Sequence, residues 1–135
     1  MIVVDSSVAF KWFKPENNSD QANKLLQNHL NGINHILVPP LLFLEIANAL
    51  VAKTLTTPPT IRQDLQHLYT LDLHLYTPTL DNLLETAQLA KKYHTSVYYM
   101  LYAVIAKYHH TTLITADANF LKKTRFRFVK LLGSS

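Results

Sequence analysis

Apolar and polar positions follow one another along the chain in blocks that switch between strand-like and helix-like spacing. The opening run MIVVD is short, rich in β-branched residues and ends in an acid, which is typical of a buried strand. In the next block Ala22, Leu25, Leu26 and Leu30 fall on one helical face, and the spacing predicts a helix over Ser19–Leu30 with Ser19 as its N-cap.

The rest of the chain continues this alternation. The predicted strands are His35–Pro39, Leu73–Thr77, Thr112–Thr115 and Phe126–Leu132. The predicted helices run from Pro40 to about Lys53, from Thr60 to Leu71, from Thr79 to Ala90 and along SVYYMLYAVIAKYH, with a turn at Thr54–Pro59. Alternating strands and helices favour an α/β fold with a mainly parallel central sheet and helices on both faces. No internal repeat or linker interrupts the pattern, so residues 1–135 are predicted to form one domain.

Composition narrows the function classes. No apolar run reaches the roughly 18 residues that suggest a membrane span. The N-terminus has no basic region ahead of its apolar residues, and Asp5 falls where a signal peptide would be apolar. The chain contains no cysteine, which removes disulfides and thiolate metal sites. We therefore predict a cytoplasmic protein with no membrane partner.

The charge favours a nucleic-acid partner. The chain has 13 basic and 9 acidic residues, for a net charge of +4. The segment KKTRFRFVK, from Lys122 to Lys130, concentrates basic and aromatic residues. Two interpretations of this segment are open: a nucleic-acid contact, or a solvated edge strand guarded by Lys and Arg.

Three carboxylates fall at informative positions. Asp5 ends the first strand and Asp117 follows the LIT strand, where sites form in parallel sheets, although an Asp there also commonly caps the next helix. Glu45 lies within the apolar run LLFLEIANALVA, and a buried carboxylate must be paired, neutralised or bound to metal. The alternative is that Glu45 emerges on a narrow polar stripe with Asn48 and Ala52. Carboxylates gathered without Cys or a His pair suit Mg²⁺ or Mn²⁺.

Other site chemistries have little support. With glycine only at Gly32 and Gly133, the chain has no P-loop and no dinucleotide fingerprint, and it lacks both HExxH spacing and a nucleophile elbow. Phosphatases of the haloacid-dehalogenase type need a second Asp two residues after the first, where this chain has Ser7. Receiver domains need an acidic pair and a late Lys that are not evident here.

Three segments in order resemble PIN-domain proteins, and among them the VapC toxins of bacterial toxin–antitoxin pairs. They are VVDSSVAFKWFKPE (3–16), VPPLLFLEIANAL (38–50) and LITADANF (113–120), which together span nearly the whole chain. The resemblance implies a three-layer α/β/α fold and a ribonuclease that binds Mg²⁺ or Mn²⁺ in an acidic pocket. It also implies a homodimer and a cognate VapB-like antitoxin that inserts a segment at the active site.

The resemblance assigns roles to individual residues. Asp5 and Asp117 would be metal ligands, and Glu45 would be a ligand or would position the attacking water. The side chains expected to orient these groups, directly or through water, are Ser7, Thr115 and Asn119.

One position departs from the family pattern. The family carries a further acid in a helix of the form S-x-Y-D-x-x-Y; here SVYYMLY matches it at Ser96, Tyr98 and Tyr102 but has Tyr99 at the Asp position. A phenol is neutral at pH 7, is a poor ligand for a hard cation, and is bulkier than the carboxylate. We predict an impaired nuclease, with a non-catalytic module that binds antitoxin or RNA as the alternative. Three explanations of Tyr99 are open: natural variation, degeneration of the site, or a change selected or introduced in a cloned gene. The third is attractive because the other three acids and the rest of the helix pattern are intact. Tyr98 and Tyr102 are predicted core residues.

Overall fold

The elements of the fold are given by a computed structural model that describes residues 1–52 and 55–134. The strands are β1 (Ile2–Val4), β2 (Ile36–Val38), β3 (His74–Leu75), β4 (Leu113–Thr115) and β5 (Val129–Leu131). The α-helices are α1 (Ser6–Ala9), α2 (Ser19–Leu30), α3 (Leu41–Ala52), α4 (Pro58–Thr70), α5 (Leu80–Tyr93), α6 (Val97–Tyr108) and α7 (Ala118–Thr124), with a 3₁₀ turn at Phe10–Trp12.

The strands form a five-stranded sheet in the order β3-β2-β1-β4-β5, and each neighbouring pair is parallel. The predicted α/β fold with a parallel sheet is therefore confirmed. In the central strand β1, Val3 pairs with Leu37 on one side and with Leu113 on the other. Val3 and Val4 are fully buried, as expected for a strand covered on both faces.

The strand order fixes where a site can form. From β1 the chain steps to β2 and then β3, and afterwards returns past β1 to β4 and β5. Because crossovers between parallel strands are right-handed, this reversal puts α1–α4 on one face and α5–α7 on the other, which gives three layers. The reversal lies between β1 and β4, and sheets of this kind bind ligands beyond the carboxyl ends of the strands at that point.

Helix α2 has the predicted limits, but its predicted cap is wrong. Asn18, in the left-handed region with φ of 65°, occupies the cap position. Ser19 is already the first helical residue, and its hydroxyl accepts a hydrogen bond from the Glu16 amide at 2.8 Å. Its side chain therefore turns back toward the preceding loop and not toward the first turn of the helix.

The segments around α3 and α4 match their predicted types with shifted ends. Helix α3 is described over Leu41–Ala52, and the predicted limit at Lys53 and the start of the predicted turn at Thr54 lie outside the described residues. Helix α4 begins at Pro58, two residues earlier than predicted, because proline suits the first helical positions.

Both edge strands are shorter than predicted, with two residues in β3 and three in β5. Short edge strands leave little unpaired backbone for contact with other chains.

The pattern of apolar residues did not predict α1 or α7. These helices have four and seven residues, too few for a periodic apolar face to emerge. Each has an aspartate as its N-cap: Asp5 for α1 and Asp117 for α7. The two acids therefore start helices at the carboxyl ends of neighbouring strands.

The core packs against both sides of the sheet. Helix α6 supplies a continuous buried run from Met100 to Ala106, and Leu42, Ile46 and Leu50 of α3 are fully buried. Within the described ranges, no helix is both long and apolar enough to cross a membrane.

Candidate active site

Four hydrogen bonds fix the carboxylate of Asp5 at the end of β1. Its Oδ1 accepts hydrogen bonds from the Ser7 amide at 3.1 Å, the Val8 amide at 3.3 Å and the Ser7 hydroxyl at 2.5 Å. Its Oδ2 accepts from the Thr115 hydroxyl at 2.5 Å. The residue is only 3 % exposed. The capping alternative and the site prediction thus apply to the same side chain, which caps α1 and also lies at the switch point.

Burial controls the ionisation of this carboxyl group. Removal from water raises the pKa of Asp5 to about 6, against the lowering effect of hydrogen bonds from Ser7, Thr115 and Val8. The negative charge of Glu45 raises the pKa further. The carboxylate is therefore the main form at neutral pH and the carboxylic acid is the main form below about pH 6.

Hydroxyl groups link Asp5 to the start of α7. Thr115 donates to Asp5 and accepts from the Asp117 amide at 3.1 Å, and the Ser7 hydroxyl accepts from the Ala116 amide at 3.0 Å. The two hydroxyl oxygens are 3.5 Å apart. Ser7 and Thr115 thus have the contacts expected of groups that orient a carboxylate.

Asp117 is less enclosed than Asp5. Its Oδ1 accepts from the amides of Asn119 at 2.9 Å and Phe120 at 3.2 Å, which caps α7. Its Oδ2 has no hydrogen bond within the described residues. Asn119 is exposed, and its observed contact with Asp117 is made by the backbone amide.

Glu45 reaches the same region from α3. It is half-buried, as predicted, and its Oε1 accepts a hydrogen bond from the Tyr102 hydroxyl at 2.5 Å. Tyr102 is 1 % exposed, so its predicted place in the core is confirmed. Burial, followed by the charge of Glu45, raises the pKa of Tyr102 far above its ordinary value, and the phenol stays a donor at all relevant pH. No local spacing in the sequence signals this bond, because its partners are 57 residues apart on different helices.

Tyr99 lies within electrostatic range of the three acids. Partial burial raises the pKa of its phenol, and the charges of Asp117, Asp5 and Glu45 raise it further, in that order. The side chain is 42 % exposed, and its ring is 6.3 Å from the ring of Phe120 in α7. The charges of all three carboxylates therefore act on a phenol that is neutral at pH 7.

A groove of about 490 Å³ opens beside Glu45. It is lined by Ser6, Leu41, Leu44, Glu45, Asn48 and Tyr98. The predicted core position of Tyr98 is wrong, because the first turn of α6 faces this groove and solvent and leaves the side chain 61 % exposed. Asn48 lies on the same groove, so the polar stripe considered for Glu45 exists in part and leads into the site.

Residues 2–126 match the PIN domain family. The chain belongs to the PIN domain family. PIN domains are generally nucleases and generally use divalent metal ions.

Solved structures share the fold of this PIN domain. A toxin–antitoxin complex from Klebsiella pneumoniae is similar with a TM-score of 0.71 and 13% identity, over 96% of each chain. PAE2754 from Pyrobaculum aerophilum is similar with a TM-score of 0.70 and 20% identity, over 97% of this chain and 90% of its own. FitAcB from Neisseria gonorrhoeae has a TM-score of 0.67 and 15% identity, over 98% and 97% of the two chains. A search of curated proteins finds no match.

The donor set of this PIN domain fits a hard cation in kind but not fully in number. The available groups are carboxylate and hydroxyl oxygens, which suit Mg²⁺ or Mn²⁺. Within the described residues, no three acidic or histidine side chains come close enough to hold one ion together. Mg²⁺ is commonly held through one or two carboxylates with several waters, and Asp5 and Asp117 meet that smaller requirement in chemistry.

We expect Tyr102→Phe to lower the free energy of unfolding by about 1–2 kcal/mol at pH 7. The variant lacks the hydroxyl that donates a hydrogen bond to the Glu45 carboxylate. The phenyl ring fills the same buried space, so no cavity adds to the effect. Urea denaturation measures this change, and an unchanged m-value would show that the fold is kept. Tyr98→Phe on the exposed first turn of the same helix is the control, with no change expected; equal stability of both variants would contradict the bond's contribution.

Proposed function

We propose that this PIN domain is a VapC-like toxin, an endoribonuclease that depends on Mg²⁺ or Mn²⁺ and is impaired by Tyr99. The observation that carries the proposal is that the charges of Asp5, Glu45 and Asp117 all act on one phenol beside the switch point of the sheet. The proposal covers residues 1–135 as one domain, acting in the cytoplasm.

The residues of the site have separate tasks in this proposal. Asp5 and Asp117 would hold the ion, since Asp5 is fixed by four hydrogen bonds and Asp117 keeps one oxygen without a partner among the described residues. A bound divalent ion supplies a water of lowered pKa and neutralises charge on the phosphate. Glu45 would complete the ligand set or position that water, with its orientation set by Tyr102. Ser7 and Thr115 hold Asp5 in place.

Tyr99 limits this chemistry in two ways. A neutral phenol provides no charge to hold the ion, and its raised pKa keeps it neutral at any pH at which the enzyme would work. Its ring also fills space in which a scissile phosphate would have to lie. Loss of one group that stabilises charge in a transition state costs on the order of 10²–10³ in rate.

A second candidate is a non-catalytic PIN domain that binds an antitoxin or RNA. It is favoured by the same phenol and by the absence, within the described residues, of three converging acids. The fold shared with the toxin–antitoxin complex from Klebsiella pneumoniae supports an antitoxin partner for either candidate. The groove beside Glu45, with apolar Leu41 and Leu44 along it, is the proposed seat for an inserted antitoxin segment, and a homodimer is part of both candidates.

Calorimetric titration with Mn²⁺ tests the metal site. We expect Asp5→Ala and Asp117→Ala each to abolish the binding measured for the unaltered chain, whereas Asp81→Ala in the first turn of α5 leaves it intact.

Cleavage of RNA by Tyr99→Asp, and its loss when Asp117→Ala is added, tests the nuclease itself. Unchanged Mn²⁺ affinity in both alanine variants would refute the site, and inert Tyr99→Asp protein with partner binding intact would favour the non-catalytic candidate.

A further inference from the structure

The charges of the chain are divided between its two parts. Residues 1–85 contain five basic and eight acidic residues, for a net charge of −3. Residues 86–135 contain eight basic residues against the single acid Asp117, for a net charge of +7. The modest overall charge of +4 therefore conceals a strongly basic C-terminal part, which carries the sign needed to attract a polyanion.

Six of these cations converge in the structure on what we call the basic surface. Its members, all exposed, are Lys91, Lys92, Lys122, Lys123, Arg125 and Arg127. The ends of α5 and α7 meet there, because the rings of Tyr93 and Phe126 lie 5.1 Å apart and the Lys123 ammonium donates to the His94 carbonyl at 2.9 Å. None of the six forms an ion pair with any residue that the structure describes. Their charges are thus available to an external partner.

Aromatic rings lie between these cations. Phe126 and Phe128 stack with centroids 5.1 Å apart and planes inclined by 14°, and both side chains are partly exposed. They alternate along the chain with Arg125 and Arg127, which are exposed. Unpaired bases stack on aromatic rings and guanidinium planes while cations follow the phosphates, so this composition fits single-stranded nucleic acid. Both rings also pack against the core, and an acidic peptide would use the charges but not the exposed parts of the rings.

The basic surface is joined to the acidic site by one short helix. Asp117 caps the start of α7 and Arg125 follows its end, so eight steps of 1.5 Å each separate them by about 12 Å. A row of rings makes the same connection: Tyr99 lies 6.3 Å from Phe120, and Phe120 lies 6.5 Å from Phe126. A single strand of nucleic acid bound to the basic surface would therefore pass within a few nucleotides of the three carboxylates.

We propose that the basic surface binds the backbone of single-stranded RNA and leads it toward the acidic site. This inference rests on the proposed function, in which RNA is the substrate. The basic surface recognises the phosphates of the RNA and the faces of its bases, and it carries no side-chain pattern that specifies one base over another. Its contribution is affinity and direction, with the cut positioned by the acidic site.

The test measures binding of fluorescein-labelled single-stranded RNA by anisotropy, with the chain otherwise unaltered and EDTA present so that no RNA is cut. The variant Arg125→Gln/Arg127→Gln removes two charges from the basic surface. The control Lys24→Gln/Arg62→Gln removes the same charge from exposed positions on α2 and α4. Thermal unfolding of both variants verifies that they are folded.

We expect the surface variant to lose at least roughly tenfold in affinity at low salt and the control less than about twofold. The slope of log affinity against log salt should fall by about 1.4, since each lost contact with a single strand contributes about 0.7. Equal losses in the two variants, or displacement of the RNA as readily by polyglutamate or duplex DNA as by unlabelled RNA, would overturn the proposal. Because these measurements exclude cleavage, they can succeed while Tyr99→Asp stays inert, and they can fail while it cuts RNA.

Discussion

Replacing Tyr99 by Asp is expected to raise the rate of RNA cleavage in Mn²⁺ or Mg²⁺ by on the order of 10²–10³. The change adds a carboxylate where Asp117, Asp5 and Glu45 already act on one side chain. It also removes a ring from the space beside them. Position 99 lies in the first turn of α6, where the amide of residue 99 donates a hydrogen bond to the hydroxyl of the N-cap Ser96 at 3.1 Å. A negatively charged Asp at this position is favourable to the helix dipole.

Two matched variants separate charge from bulk. Tyr99→Phe keeps the ring and should be as inactive as the unaltered chain, while Tyr99→Ala opens the same space without supplying a carboxylate. If Tyr99→Ala cleaved RNA as fast as Tyr99→Asp, obstruction by the ring would be the whole effect. The initial rate of cleavage of a labelled RNA, with EDTA as the blank, measures all three. The codon at position 99 in the source genome gives a separate check, since one base change converts an Asp codon to a Tyr codon, and a genomic Tyr codon would remove a cloning origin.

Asp5→Asn is expected to stabilise the protein by about 1–3 kcal/mol at pH 8 without divalent ions, although it removes a proposed metal ligand. In the folded state the pKa of Asp5 is about 6, raised from its ordinary value of 3.8 mainly by burial. The folded chain therefore keeps a proton between about pH 4 and 6 that the unfolded chain has released. Stability from this group is complete below about pH 4 and is lost as the pH rises through 6. A rise of two units corresponds to about 3 kcal/mol.

Asparagine cannot ionise, so it avoids this loss and keeps an oxygen to accept from Ser7 and the Val8 amide. Urea denaturation of both chains in EDTA at pH 4, 6 and 8 measures the effect. The difference between the chains at each pH cancels the other titrating groups. We expect it to be small at pH 4 and largest at pH 8, and a variant less stable by the same amount at every pH would contradict the role of burial.

The sequence was sufficient for those parts of the fold in which apolar spacing is long and regular. Helix α2 has its predicted limits, and the strands that carry Asp5 and Asp117 lie where runs of β-branched residues predicted them. The short helices α1 and α7 escaped prediction because their main determinant is one capping aspartate each. The sequence offered Asp5 and Asp117 as possible caps, but it did not show that one side chain would serve both as a cap and as a site residue.

The helix SVYYMLYAVIA shows where spacing fails. Three tyrosines within five positions look alike in the sequence, yet Tyr102 is buried against Glu45, Tyr98 faces the groove and Tyr99 lies within electrostatic range of the acids. Which tyrosine packs depends on where α6 passes over the sheet, and only tertiary contacts decide that. The family pattern predicted a role for position 99, but it did not indicate that Tyr102 holds Glu45.

The pairing of β1 with β4 has a consequence for the order in which the protein is made. Val3 pairs with Leu113, and Asp117 emerges from the ribosome 112 residues after Asp5. Contacts so distant in sequence form late, because the chain between them must be closed into a loop first. The growing chain holds Asp5 from the first moments of synthesis, but it has no assembled acidic site until its last strands are released. Any activity that needs both acids is therefore confined to the finished chain and does not arise during its synthesis.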